Sequence, residues 1–120
     1  MRKIITGLAV AGLVLAGGVS TATTASAASA GQPCSYLSTA EPLLRAGATG
    51  DAVRALQCEL NRSIDPDSGY GLSIDGVFGQ ATLRAVYRFQ QCVNIQVDGE
   101  VGPQTWSKLD YWNVQPGYAC

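Results

Sequence analysis

The sequence predicts an all-α fold, a compact three-helix bundle with two turn-and-helix repeats and two disulfides. Its main support is a ten-residue phrase that occurs twice, at residues 74–83 and 97–106, with the shared pattern (I/V)DGx(F/V)GxxT. Asp-Gly favours a tight turn, and the Gly and Thr that follow are typical of a helix start. Each copy therefore predicts a turn that leads into a helix. No run with the two-residue period of a strand competes with this pattern.

Residues 1–27 have the features of a secretory signal peptide. Arg2 and Lys3 precede an apolar run at residues 4–19, and cleavage fits after Ala27 or after Ala30. The apolar run is shorter than the roughly 20 residues that a membrane-spanning helix needs. We therefore expect a secreted protein with no membrane anchor and no membrane partner.

The rest of the chain divides into three parts, which make one small domain and its flanks. They are an extended N-terminal segment at residues 28–43, the three-helix domain at residues 44–109 and a C-terminal tail at residues 110–120.

Composition excludes several kinds of partner. Without Arg2 and Lys3 the exported chain is acidic, which argues against a nucleic-acid partner. The chain has four cysteines and no histidine, and the cysteine spacing fits no zinc site, so we expect no metal and no cofactor. An even number of cysteines in a small secreted domain instead predicts two disulfides.

The first helix is predicted from its apolar stripe. Val53, Leu56 and Leu60 recur at i, i+3 and i+7, which indicates a helix over about residues 51–61. Serine, aspartate, proline and glycine dominate the stretch after it, so residues 62–74 are predicted to form a surface loop.

The two repeats predict the second and third helices. The second runs over about residues 80–91 and is amphipathic. Its apolar face carries Thr82, Ala85, Val86 and Phe89, and its outer face carries Arg84, Tyr87, Arg88 and Gln91. The third begins near Pro103, whose fixed φ suits a first helical turn, and Trp106 and Leu109 give it an apolar side.

Helical geometry also suggests how the cysteines pair. At about 100° per residue, Cys58 points about 140° away from Val53 and so away from the core stripe. It should meet a segment outside the bundle, and the N-terminal segment can bring Cys34 there. Cys92, at the end of the second helix, is then left for Cys120 on the tail. We expect these two pairs among the three connectivities that four cysteines allow.

Three stretches carry a resemblance to a known family. They are Leu44-x-x-Gly47-x-x-Gly50-x-x-Val53-x-x-Leu56-Gln57, Asp75-Gly76-x-Phe78-Gly79-x-x-Thr82-x-x-Ala85-Val86-x-x-Phe89-Gln90 and Asp98-Gly99-x-Val101-Gly102-Pro103-x-Thr105-Trp106-x-x-Leu109. In these positions the chain resembles the three-helix peptidoglycan-binding domain of bacterial cell-wall hydrolases and is similar to the prodomain of matrix metalloproteinases. The resemblance implies attachment to the glycan and stem peptide of bacterial peptidoglycan, outside the cell or at its wall, without catalysis.

An enzyme is the weakest of the functions considered. Asp75 and Asp98 could be imagined as the carboxylate pair of a glycoside hydrolase or as a metal site. An aspartate before glycine more often bonds to its own turn, so we expect structural turns here. The turn residues are Asp75, Gly76, Gly79, Asp98, Gly99 and Gly102. A serine or cysteine nucleophile would also lack a histidine base.

The outer face of the second helix is one candidate ligand surface. Arg84 and Arg88, at i and i+4, are placed to grip a stem-peptide carboxylate, and Tyr87 between them is placed to pack on a sugar ring. The alternative is that this face is only solvated.

Three further side chains have two interpretations each. Gln57 and Gln90 either contact a glycan or bond to neighbouring backbone. Trp112, with Tyr111 beside it in the tail, either forms a sugar platform or packs under the bundle.

The sequence therefore predicts a secreted, monomeric, non-catalytic module that binds peptidoglycan. The alternative is a secreted protein-interaction or inhibitor module that uses the same bundle.

Overall fold

The computed structural model describes residues 33–120, which contain three α-helices. They are α1 (Asp51–Ser63), α2 (Gln80–Cys92) and α3 (Pro103–Asn113), and a short 3-10 turn, Pro66–Ser68, follows α1. The described residues form isolated β-bridges but no strand, so the predicted all-α fold is confirmed. The predicted signal peptide lies outside the described residues. None of the described helices is long and apolar enough to cross a membrane.

The helix bounds follow the predicted pattern with two extensions. α3 continues to Asn113, so Tyr111 and Trp112, which were predicted to lie in the C-terminal tail, are helical. α1 continues two residues beyond the expected end and stops where Ile64 turns into extended backbone. Ser63 is fully buried, so this last turn packs inside the domain and does not fray into the loop. A glycine precedes each helix, and Pro103 occupies the first turn of α3.

The core is built from the predicted apolar faces. Phe78 and Val101, the apolar residues that follow the two Asp-Gly turns, are both buried there. They pack with Val53, Leu56, Leu60, Val86, Phe89, Trp106 and Leu109. Each repeat therefore inserts one anchor into the core before its helix begins.

A short extended stretch ties the two turns together. The Leu44 N–H donates to the Val101 carbonyl at 3.1 Å, and the Val101 N–H donates back at 2.8 Å. Farther along, the Phe78 N–H donates to the Ala48 carbonyl at 2.9 Å, and the Gly47 N–H donates to the Phe78 carbonyl at 2.9 Å. Residues 44–48 thus bond to both repeats in turn.

Two disulfides hold the segment before α1 and the segment after α3 against the helices. Cys34 is bonded to Cys58, with Cα atoms 5.9 Å apart, and Cys92 is bonded to Cys120, with Cα atoms 5.7 Å apart. These are the two pairs that the sequence favoured. The tail also bonds to the loop after α1, because the Asp65 N–H donates to the Cys120 carbonyl at 2.8 Å.

Candidate functional site

The first Asp-Gly turn is held by one buried amide from α1. Gln57 Nε2 donates to Asp75 Oδ1 at 2.9 Å, to the Val77 carbonyl at 3.1 Å and to Thr82 Oγ1 at 3.1 Å. Gln57 Oε1 accepts from the Gly76 N–H at 3.0 Å. A single side chain therefore fixes the turn and the start of α2.

The second turn repeats this arrangement and adds one hydrogen bond. Gln90 Nε2 donates to Asp98 Oδ1 at 3.0 Å, to the Glu100 carbonyl at 2.9 Å and to Thr105 Oγ1 at 3.2 Å. Gln90 Oε1 accepts from the Asp98 N–H at 3.1 Å and the Gly99 N–H at 3.0 Å. We call each of these two networks an amide clamp.

The amide clamps show what Gln57 and Gln90 bond to, which the sequence had left undecided between a glycan and neighbouring backbone. Gln57 and Gln90 are 1% and 0% exposed, and both ends of each amide are bonded within the protein. Of their two possible uses, the hydrogen bonds describe the intramolecular one. Gln57 lines part of a surface groove beside the first repeat, but its amide is already bonded at both ends.

The two turn aspartates are surface carboxylates bound to their own turns. The pKa of Asp75 is lowered because the Val77 N–H donates to it, with Gln57 as a second donor. The pKa of Asp98 is lowered in the same way, mainly by the Glu100 N–H. Both carboxylates are therefore ionised at neutral pH and occupied as hydrogen-bond acceptors.

The glycine of each turn has positive φ and is covered by a side chain from the preceding helix. Gly76 (φ 76°) lies under Arg54, whose Cζ would be 3.0 Å from an added Cβ. Gly99 (φ 74°) lies under Tyr87, whose Cε1 would be 2.9 Å from an added Cβ. The ring of Tyr87, a predicted sugar contact, therefore packs on the second turn.

The two arginines of the predicted ligand face have different surroundings. Arg84 is exposed, whereas Arg88 is half-buried. The Arg88 guanidinium lies 5.9 Å from the centre of the Tyr70 ring, in a cation–π arrangement with the loop after α1. Arg88 is thus directed at the loop.

That loop borders a surface groove beside the first repeat. Two adjoining cavities of about 350 and 310 Å³ share residues 71–73, and we call them together the loop groove. Tyr70 and Pro66 line one part, and Asp75 and Gln80 line the other.

A third bidentate amide, Asn61, holds the wall of the loop groove. Asn61 Nδ2 donates to the Leu72 carbonyl at 2.9 Å, and the Leu72 N–H donates to Asn61 Oδ1 at 2.8 Å. Both bonds are local to α1 and the loop it leads into. The groove wall is therefore anchored at its middle residue.

A second groove lies along α3, and we call it the α3 groove. It has a volume of about 490 Å³. Its lining residues are Cys92, Val93, Ser107, Lys108, Tyr111 and Trp112. Trp112 is half-buried and packs on the core, while Tyr111 is 56% exposed. Trp112 thus packs against the core, and Tyr111 is the aromatic ring that is exposed to a ligand.

A buried carboxyl group at the α1–α3 contact was missed by the sequence analysis. Glu59 is 5% exposed, and its Oε2 accepts from Asn113 Nδ2 at 3.3 Å. Burial, followed by the charges of Asp110 and Glu41, raises its pKa to about 8. The sequence signal for its burial was its position on α1, next to Leu60 and three residues after Leu56, both of which belong to the apolar stripe. Within residues 33–120 no group of acidic, cysteine or histidine side chains is arranged to hold a metal.

The chain is similar to a family of known domains and to several known proteins. Residues 49–109 match a family model described as a peptidoglycan binding domain. An uncharacterized protein of Kitasatospora aureofaciens is 52% identical over 110 residues, which cover 90% of this chain and 91% of that protein.

Two further relatives are larger enzymes. The zinc D-Ala-D-Ala carboxypeptidase of Streptomyces albus G is 38% identical over 112 residues, which cover 91% of this chain and 43% of the enzyme. A solved structure from Clostridium acetobutylicum is a fused Zn-dependent amidase/peptidase that contains a peptidoglycan-binding domain. It is 34% identical, with a TM-score of 0.53, over 67% of this chain and 33% of its own. The chain thus spans less than half the length of either enzyme.

Proposed function

This chain belongs to the peptidoglycan-binding domain family, and we propose that it is an exported, non-catalytic module that binds bacterial peptidoglycan in the loop groove. The family is shared with cell-wall hydrolases, and the resemblance found in the sequence is confirmed. What the proposal adds is the place of binding, the lack of catalysis and the export.

The loop groove is the observation that carries this proposal. Tyr70 offers an aromatic ring for the apolar face of a sugar, and the Arg88 guanidinium lies 5.9 Å from the centre of that ring. Ser73 and Gln80 add exposed polar side chains that suit hydroxyl and acetamido groups. A groove with an aromatic wall and a few polar groups is the usual form of a small-ligand site.

The state of the two turn aspartates argues against their use as a catalytic pair. Glycoside hydrolysis needs one carboxyl group that keeps its proton at working pH. Asp75 and Asp98 instead have lowered pKa values and accept hydrogen bonds from their own turns. They are suited to holding the fold and not to donating a proton.

Export is supported by the N-terminal sequence and by the disulfides. Residues 1–27 fit a signal peptide, and both disulfides need an oxidising compartment to form. We further propose that the mature protein acts as a monomer outside the cell or at its wall.

Sedimentation with insoluble peptidoglycan tests the function. The mature protein is mixed with purified peptidoglycan or with chitin, and bound protein and turbidity are both measured. We expect selective co-sedimentation with peptidoglycan and constant turbidity. A folded protein that stays in solution would contradict binding and favour a protein partner, and clearing of the suspension would contradict the non-catalytic role.

Variants of the loop groove test the place of binding. Tyr70→Ala removes the aromatic wall, and Ser73→Trp fills the groove from an exposed position without disturbing the core. We expect each to weaken binding about tenfold, the usual scale of one good aromatic contact. Tyr36→Ala is the matched control, because Tyr36 is 76% exposed and outside the groove. Equal binding by all three variants would move the site elsewhere.

A further inference from the structure

We propose that the α3 groove is a second contact site for peptidoglycan, which takes an N-acylated amino sugar on Tyr111 and a carboxylate of the attached peptide on Lys108. This inference rests on the proposed function. It concerns residues that lie on α3 and at the end of α2, apart from the loop groove.

The two aromatic rings of the α3 groove form a fixed platform. The Tyr111 and Trp112 ring centres are 5.4 Å apart, with the planes at 88°. Trp112 is anchored on the core, so this edge-to-face contact restrains Tyr111 while leaving it 56% exposed. The Tyr111 carbonyl also accepts from Gln115 Nε2 at 3.2 Å, which secures the end of the helix. A ring that is already restrained loses little entropy when a sugar packs on it.

Lys108 places a positive charge beside this platform. It precedes Tyr111 by three residues and Trp112 by four, so all three lie on one side of α3. Its ammonium group forms no salt bridge with any of residues 33–120, where the single ion pair joins Arg54 and Asp51. An exposed, unpaired ammonium next to an aromatic ring suits a ligand with an apolar face and an anionic substituent. A sugar that bears a peptide carboxylate has both.

The other wall of the α3 groove is covalently fixed. Cys92, which lines it, is bonded to Cys120, and Val93 next to it packs on the core. The volume of about 490 Å³ lies within the range of roughly 300–1,000 Å³ that is typical of small-ligand sites. It therefore has room for one substituted sugar.

Two grooves on one chain suit a polymeric ligand. Peptidoglycan repeats its sugar and peptide units, so one polymer can occupy the loop groove and the α3 groove together. Once one groove is occupied, binding at the other is intramolecular, and the overall affinity for the polymer exceeds that of either groove alone. Loss of the α3 groove should therefore weaken binding without abolishing it.

The test measures equilibrium binding of the mature chain to intact insoluble peptidoglycan by sedimentation, and to the soluble glycan strands that an amidase releases from it by calorimetry. We expect Tyr111→Ala to weaken binding about tenfold on both materials. We expect Lys108→Ala to weaken it about threefold on intact peptidoglycan only, with less effect at high salt, and Lys108→Arg to restore it.

Matched controls separate this inference from the proposed function. Tyr36→Ala and Arg45→Ala change an exposed tyrosine and an exposed basic residue outside the α3 groove and should bind like wild type. Ser107→Trp, which fills the groove from an exposed position, should reproduce the loss seen with Tyr111→Ala. If wild type sediments and both Tyr111→Ala and Ser107→Trp bind as well as wild type, the second site is wrong and the proposed function stands. If wild type does not sediment, the function itself is overturned.

Discussion

Each of the two repeats is held by its own amide clamp, and the two clamps differ in the length of chain between the glutamine and the turn. Gln57 bonds to Asp75 across 18 residues, whereas Gln90 bonds to Asp98 across eight. The short connection has room only to reach its turn. The long one adds the loop that Asn61 pins and that forms the loop groove. Both repeats thus make the fold, and the loop that only the first connection contains lies beside the first repeat and forms with it the surface that we propose for the ligand.

The side chains around the clamps differ as well. Arg54 and Tyr87, each three residues before its glutamine, cover Gly76 and Gly99 respectively. Two residues after the glutamine, α1 carries the buried Glu59 and α2 carries the disulfide-bonded Cys92. Equivalent helix positions therefore serve unlike purposes once the clamp is in place.

The largest effect expected at the turns is the loss of a clamp. Gln57→Ala and Gln90→Ala each leave buried turn N–H groups without an acceptor, so we expect each to lower the free energy of unfolding by about 3 kcal/mol. Urea denaturation of both variants measures this. If one variant lost less than about 1 kcal/mol, the two clamps would not be energetic equivalents.

The covered glycines should separate the repeats. Both Gly76→Ala and Gly99→Ala place a side chain at positive φ, which costs about 1–2 kcal/mol. The new Cβ at position 99 also meets Leu83 at 2.8 Å and the rigid ring of Tyr87, whereas at position 76 it meets the flexible Arg54 side chain. We expect Gly99→Ala to be the more destabilising by about 1 kcal/mol.

A double-mutant cycle checks the cause of that difference. Tyr87→Ala should recover part of the loss in the Gly99→Ala background, and Arg54→Ala should recover less in the Gly76→Ala background. Equal recovery in both would mean that side-chain crowding does not distinguish the turns.

Glu59, which follows the first clamp glutamine on α1, should make the stability of the domain depend on pH, whereas the disulfide-bonded Cys92 at the equivalent position of α2 does not titrate. The groups that face it are the acidic Asp110 and Glu41 and the neutral Asn113. Its pKa is raised from 4.5 to about 8, so across that window the folded state holds a proton that the unfolded state has released. Stability is therefore full below pH 4.5, falls as the pH rises toward 8 and is level above it.

Glu59→Gln tests this pH dependence. The amide keeps the carbonyl that accepts from Asn113 and removes the titration of Glu59, so the variant should lose most of the fall in stability, roughly 4–5 kcal/mol, between those pH values. Urea denaturation at pH 4.5, 6 and 8 measures it. A wild-type curve parallel to that of the variant would contradict the assignment.

The smallest effect is expected at the turn aspartates. Their pKa values are lowered in the fold, so the stability they contribute is present above the ordinary aspartate pKa of 3.8 and is lost as the pH falls through the folded value. Asp75→Asn and Asp98→Asn keep an acceptor oxygen and should change the melting temperature at pH 7 only slightly and by similar amounts. A large difference between the two variants would show that the turns are not alike.

Much of the fold could be predicted because its signals are local. The Asp-Gly turns and Pro103 determine where the helices begin, and the apolar stripes determine which helix face is buried. Each signal lies within a few residues of sequence. The direction of Cys58 on α1 was enough to favour the observed pairing with Cys34.

The site was harder to predict because it depends on contacts distant in sequence. Whether Gln57 bonds inward depends on where Asp75 folds back, and Arg88 meets Tyr70 only once the loop is placed. For residues 62–74 the composition indicates a loop but not the groove that it borders. The burial of Glu59 was hidden because a carboxyl group is expected at the surface.

The most direct test of the comparison is an amide NMR titration of the mature protein with soluble, peptide-bearing peptidoglycan fragments. We predict shift changes at residues 70–73 and at Gln80, in the first repeat, with residues 98–100 of the second turn unchanged. Changes centred on residues 98–100, or equal changes at both turns, would contradict the claim that the longer connection carries the binding surface.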